Sequence, residues 1–204
     1  MRVLGVDPGL GRTGIAVVDG RPGRLRLIHS DCLETPAQTG DPGRLAALLH
    51  LVGAAVATHR PDIAAVEQLF FSTNRRTAMR VSEARGVILC ALARAGVPVA
   101  EYTPTQVKEA VTGYGAARKP QVGRMTCSLL GVERIVGPDD ATDACAVAVC
   151  HHHRAGLAAA VGVRPQDSMV RLEELVARAQ LAAGVGAARA PRRIPSHPAG
   201  GRRG

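Results

Sequence analysis

The feature that most constrains this chain stands at its start, in RVLGVDPGLGRTGIAVVDG (residues 2–20). The apolar run Val3–Val6 suits a strand buried on both faces. It ends in one carboxylate, Asp7, and Pro8-Gly9 stop the strand there. A second apolar run follows Thr13-Gly14. A buried carboxylate without a partner is costly. Asp7 therefore needs one: a metal ion, a phosphate, or backbone N–H groups of the turn.

Residues 2–7 and 13–18 read as two strands joined by a Gly-rich turn. Asp19-Gly20 is a turn signal, and Leu25, Leu27 and Leu33 mark a third strand, so the chain opens with an antiparallel meander. Asp41-Pro42-Gly43 start a helix with an apolar stripe of Leu45, Leu48, Leu49, Val52, Ala55 and Val56. "DIAAVE" is a short buried strand ending in Glu67. A long helix spans about 74–95, with Gly96 as its stop. Its apolar side (Ala78, Val81, Ile88, Leu92) fits either a core or an interface between subunits. "VPVAEY" is the fifth strand. Thr103 caps a helix with Pro104 in its first turn, running to about Thr112. Lys119-Pro120 open another helix to about Gly131, which Gly123 weakens by roughly 1 kcal/mol relative to Ala. Pro138-Asp139-Asp140 open a last core helix through about His153. The order βββαβαβααα, with an alternating section behind a meander, implies an α/β fold with a mixed sheet and helices on both faces.

Length allows one domain and a tail: residues 1–154, then an Ala/Gly/Arg/Pro-rich stretch, 155–204. In that tail 165–183 has marginal helical spacing, and 184–204 has too little to bury and is expected to be disordered. Of the net charge of +9, the domain carries +4 and the tail +5. A basic chain suits a polyanionic partner, although a GC-rich genome also enriches Arg. The five cysteines are scattered and odd in number, with no Cys-x-x-Cys pair, and read as reduced apolar residues of a cytoplasmic protein. No run of 18 apolar residues occurs, so no membrane partner is expected.

The acids follow one pattern. Asp7 and Glu67 end strands, while Asp140 and Asp143, three apart, share one face of a helix's first turn. The helix dipole accounts for one cap there, at Asp139 or Asp140, but not for two acids on one face. Adjacent first and fourth strands put Asp7 beside Glu67, and the helix face completes a cluster of four carboxylates. Such a cluster repels itself without cations. Carboxylate oxygens suit Mg²⁺ or Mn²⁺. Two such ions roughly 4 Å apart flank a phosphate in phosphodiester hydrolysis.

The blocks GVDPGLGRTGIAV, VEQLFF, TPTQVKEAVTGYGAARKPQV and DDATDACAVAVCHH occur in the order of the signature blocks of the RuvC family of Holliday-junction resolvases. The chain resembles that family over nearly all of residues 1–153. The resemblance implies a ribonuclease H-like fold (retroviral-integrase superfamily) with a five-stranded mixed sheet, and a homodimer that cuts four-way DNA junctions by paired symmetric nicks. It implies Asp7, Glu67, Asp140 and Asp143 as catalytic, metal-binding acids for two Mg²⁺ ions per subunit, with Mn²⁺ able to substitute. Water then attacks in line, leaving 5′-phosphate and 3′-hydroxyl ends. DxxD spacing selects Asp140 over Asp139. Lys108 and Lys119 match lysines near the scissile phosphate or the DNA backbone, and Phe70 matches an aromatic beside the metals. The RuvA and RuvB branch-migration proteins are implied as partners, in a nucleoid-associated setting.

Other residues carry two readings. Phe70 and Phe71 are adjacent and cannot easily face the same way, so one is core and the other free to stack on unpaired bases. Arg75, Arg76 and Arg80 fit the DNA backbone or a solvated helix face equally well. His151-His152-His153 read as histidines at a helix C-terminus, favoured by the dipole, ahead of a metal tract. A two-domain sugar-kinase-like ATPase also begins with a strand, an Asp and a phosphate turn, but needs a second such domain. A nuclease for RNA–DNA hybrids would share the acids without the EQLFF and TQVK blocks.

Overall fold

The computed structural model describes residues 1–69 and 75–160, the side chains of 75, 76 and 158–160 excepted. Strands β1 (Arg2–Asp7), β2 (Arg12–Arg21) and β3 (Arg24–Glu34) form the expected antiparallel meander. β4 (Ile63–Glu67) and β5 (Val99–Tyr102) extend it in parallel, giving the order β3-β2-β1-β4-β5. β1 is therefore central. Its Val3, Leu4 and Val6 are fully buried, as a strand covered on both faces requires.

Period-two alternation sorts the sheet into two cores. Leu4, Val6, Ile15, Val17, Ala64 and Val66 meet α1 (Gly40–His59) and α2 (Arg75–Arg94) on one face. Val3, Ala16, Val18 and Ala65 meet α3 (Pro104–Thr112), α4 (Lys119–Leu130) and α5 (Asp139–Ala160) on the other. Within α1, Leu48, Val52, Ala55 and Val56 are buried, and Leu45 and Leu49 are half-buried beside them. On α2 the ambiguity resolves by position: Ile88 and Leu92 are core, whereas Ala78 and Val81 are only partly covered.

α5 is buried nearly all round, from Ala144 to Cys150. Its small side chains let it lie directly on the sheet. A Cβ at Gly5 would stand 2.1 Å from the Ala144 carbonyl oxygen, so the central strand admits no side chain there. α3 begins with a full capping box: Thr103 Oγ1 accepts from the Gln106 N–H at 3.2 Å, and Gln106 Oε1 accepts from the Thr103 N–H at 2.9 Å.

Two expectations need correction. α5 does not end near His153 but runs to Ala160. Alanines favour helix, and Gly156 sits against the Pro22 ring, where a Cβ would come within 2.5 Å of Cγ. The three histidines are therefore mid-helix, and no C-terminal dipole explains them. Instead their ring nitrogens fasten three elements. His151 Nδ1 meets Tyr102 Oη of β5 at 2.8 Å, His152 Nε2 meets the Val18 carbonyl of β2 at 3.2 Å, and His153 Nδ1 meets the Ala110 carbonyl of α3 at 2.8 Å. The 165–183 and 184–204 segments and Phe71 lie outside the described residues. Among the described residues no helix is long and apolar enough to cross a membrane.

Candidate active site

Asp7 and Glu67 come together through strand register. β1 and β4 pair in parallel with Val6 opposite Val66, so the next residues along, Asp7 and Glu67, stand side by side. Alternation turns both toward α5, on the face of Val3, Gly5 and Ala65. The turn after Asp7 is tightly fixed. Thr13 Oγ1 donates to the Gly9 carbonyl at 2.6 Å, and the Thr35 N–H donates to the Gly11 carbonyl at 3.1 Å. Thr35 Oγ1 donates to the Leu10 carbonyl and accepts from Arg44 Nε at 2.9 Å. A Cβ at Gly9 would stand 2.2 Å from the Arg12 carbonyl oxygen, so only glycine closes this turn.

α5 supplies the other two acids. Gly14 lies opposite Asp7 on β2 and directly beneath the Asp140 carbonyl. That approach lowers the first turn of α5 onto the strand ends, bringing Asp140 and Asp143 to Asp7. The electrostatics register the result. Burial, then Glu67, Asp143 and Asp140, push the Asp7 carboxyl up to about 8, against a smaller opposing pull from Lys119. Burial and Asp143 also raise Glu67, while a hydrogen bond with Asp7 pulls it back. Both carboxyls are thus raised by burial and by neighbouring acids, and the two share a hydrogen bond.

Cations engage the remaining pair. Lys119 Nζ lies 2.8 Å from Asp143 Oδ2 and 3.5 Å from Asp139 Oδ2, and the hydrogen bond to Asp143 is the main reason its pKa rises. Arg12 Nε lies 3.3 Å from Asp140 Oδ2. That contact has ion-pair distance but not hydrogen-bond geometry, so the buried Asp140 oxygen has no hydrogen-bond partner. Among the described residues no three Asp, Glu, His or Cys side chains are gathered closely enough to grip an ion as they stand. The donor set still fits a divalent cation: four carboxylates, one with an orphaned oxygen and one protonated far above its usual range. Hard, all-oxygen donors of this kind suit Mg²⁺ or Mn²⁺.

A cavity of about 230 Å³ opens beside the acids, lined by Glu67, Asp143, Lys108 and Lys119. Both lysines expected near a phosphate therefore face the same space as two of the acids. Arg80, by contrast, is held by Asp41 Oδ2 at 2.9 Å and ties α2 to α1. Phe70 lies outside the described residues; Arg75 and Arg76 open α2, but their side chains lie outside them too. Arg12 and Gly14 were not singled out from sequence. The available signal was a glycine directly across from the strand-end acid, facing a helix of small residues.

A five-stranded mixed sheet with helices on both faces and acids at the end of its central parallel strands defines a ribonuclease H-like protein. The family model for Crossover junction endodeoxyribonuclease RuvC matches residues 3–151. Crossover junction endodeoxyribonuclease RuvC of Syntrophomonas wolfei is 47% identical over 153 residues, spanning 75% of this chain and 89% of that protein. Its counterpart in Chloroflexus aurantiacus is 50% identical over 155 residues, spanning 76% and 94%. Among solved structures, T. thermophilus RuvC in complex with Holliday junction substrate aligns with a TM-score of 0.73 at 35% identity, covering 77% of this chain and 96% of that one. The chain belongs to the RuvC family of crossover junction endodeoxyribonucleases.

Proposed function

We propose that this protein resolves four-way Holliday junctions in recombination and DNA repair, as a homodimer making paired symmetric nicks. The observation that carries the reading is the convergence of Glu67, Asp140 and Asp143 on Asp7, whose carboxyl is raised by burial and then by these three neighbours. These four acids would hold two Mg²⁺ ions per subunit, or Mn²⁺ in their place. Bound there, the ions supply Lewis acidity at the scissile phosphate and a water of lowered pKa.

The chain's own groups prepare that chemistry. Asp7, as a carboxylate, would be one of the ligands. Lys119 and Lys108 offset charge on the phosphate as it reacts. Phe70 stacks on unpaired bases at the junction centre, and Arg75 and Arg76 hold the backbone. Hydrolysis leaves a 5′-phosphate and a 3′-hydroxyl. Residues 1–154 act as the nuclease domain. RuvA and RuvB are the partners that fit this role, in the cytoplasm at the nucleoid.

The deciding experiment compares metal-dependent cleavage of a mobile four-way junction, a linear duplex and an RNA–DNA hybrid. Paired, symmetry-related nicks confined to the junction support the reading. Equal cleavage of the hybrid, or unpaired nicks in duplex, would overturn it.

A further inference from the structure

Two of the four acids are met by cations, at Lys119–Asp143 and Arg12–Asp140. The lysine was expected near the phosphate; the arginine was not. Arg12 opens β2 on the far side of the turn from Asp7, with its backbone fixed by the Gly9–Thr13 contacts and its side chain more than half exposed. Glu34 faces it in register on β3, an exposed acid on the same side of the sheet, yet no ion pair joins them. The guanidinium lies instead toward Asp140, whose Oδ2 is otherwise unpartnered. A divalent cation would use that same oxygen. A divalent cation bound through that oxygen repels the guanidinium at close range, so loading the site weakens the Arg12 contact. Its backbone is fixed and its stem is long, so the freed guanidinium stays within reach of the rim of the acid cluster.

We propose that Arg12 is an exchangeable counter-ion of Asp140. In the metal-free protein it neutralises this carboxylate and competes with the divalent cation for it. Once displaced, it binds a backbone phosphate next to the scissile one, so metal loading converts an internal ion pair into a DNA contact. The proposal rests on the reading of the four acids as the metal site.

The test uses the full chain and Mn²⁺ as the probe, with binding followed by paramagnetic resonance in the absence of DNA. A half-exposed ion pair is a modest competitor, so Arg12→Gln is expected to bind Mn²⁺ about 2- to 5-fold more tightly than wild type. A second arm measures junction affinity against salt with and without Ca²⁺, the junction being checked for integrity on a gel. Arg12→Gln should lower the salt slope by about 0.9 with Ca²⁺ present and leave it unchanged without. Unchanged or weaker Mn²⁺ binding overturns the competition, and an equal slope change with and without Ca²⁺ overturns the exchange. Asp140→Asn separates the two levels. If that variant binds Mn²⁺ as wild type does, the metal-site reading fails and this proposal with it. If it loses Mn²⁺ while Arg12→Gln changes nothing, only the role of Arg12 fails.

Discussion

A Cβ placed on Gly14 would lie 1.9 Å from the carbonyl oxygen of Asp140. The contact is backbone against backbone, so no side-chain rotation relieves it. Gly14→Ala must push the first turn of α5 off the sheet, and Asp140 and Asp143 move with it. Overpacking of this kind costs about 1–3 kcal/mol, or about 2–4 °C in Tm per kcal/mol at this domain size. The larger effect is expected in activity, since a misplacement of about 1 Å costs roughly 100-fold. Thermal melts and nicking rates on a four-way junction check both. A folded Gly14→Ala protein that nicks at the wild-type rate would show that this approach does not position the acids.

Much of this arrangement was legible because its signals are local. Asp7 and Glu67 each close a short apolar run, so strand ends and acids coincide in the sequence itself. Thr103-Pro104 announces its helix through a cap that needs only neighbouring residues. The misread features depend on distant partners. His151, His152 and His153 looked like a helix end because nothing nearby shows that β5, β2 and α3 each receive one of them. The extension of α5 to Ala160 is supported by Pro22, more than a hundred positions away. Arg12 was silent for the same reason: its partner Asp140 is brought to it only by the fold.

Asp7 gives a pH dependence with a definite sign. Its carboxyl is raised from 3.8 to about 8 in the metal-free fold, so its contribution to stability is fully present below about pH 4 and is lost as pH rises toward 8. His151 acts in the opposite sense at lower pH. Burial depresses it from 6.5 to about 4, so stability is lost as pH falls from 6.5 toward 4. Only Asp7 of these two titrates between 6.5 and 8. The Tm of metal-free protein should fall across that window and recover on adding Mg²⁺. Asp7→Asn should flatten the dependence, raise the metal-free Tm at pH 8, keep junction binding and abolish nicking. Differential scanning calorimetry at several pH values, with a gel-shift assay and a gel-based nicking assay on the junction, reads all four outcomes. Strong residual nicking by Asp7→Asn would sink its assigned role.

Lys119 bridges Asp143 and Asp139 and also lines the cavity beside Glu67. Lys119→Met removes that charge while keeping much of the stem. If the amine offsets charge on the reacting phosphate, nicking should fall about 100-fold with the protein still folded. The salt slope of junction binding should drop by about 0.9, the value for one lost phosphate contact. Single-turnover cleavage separates the two effects. A lowered affinity with an unchanged single-turnover rate would leave Lys119 as a backbone contact alone.

Tyr102 and His151 join β5 to α5 behind the site, 2.8 Å apart. Burial pushes the phenol up to about 12 and the imidazole down to about 4. At neutral pH the hydroxyl is therefore protonated and the ring neutral, and the tautomer of the ring sets which of the two donates. Tyr102→Phe leaves that buried nitrogen without a partner, at a cost of about 1 kcal/mol, or 2–4 °C in Tm. Below about pH 4 the imidazolium carries a proton on Nδ1 and donates it to Tyr102 Oη, so the hydrogen bond persists and becomes charge-assisted. The cost of Tyr102→Phe should accordingly grow as pH falls from 7 to 4. Paired melts of wild type and variant across that range decide the point. A stability difference that stays constant with pH would assign the loss to packing of the ring rather than to the hydrogen bond.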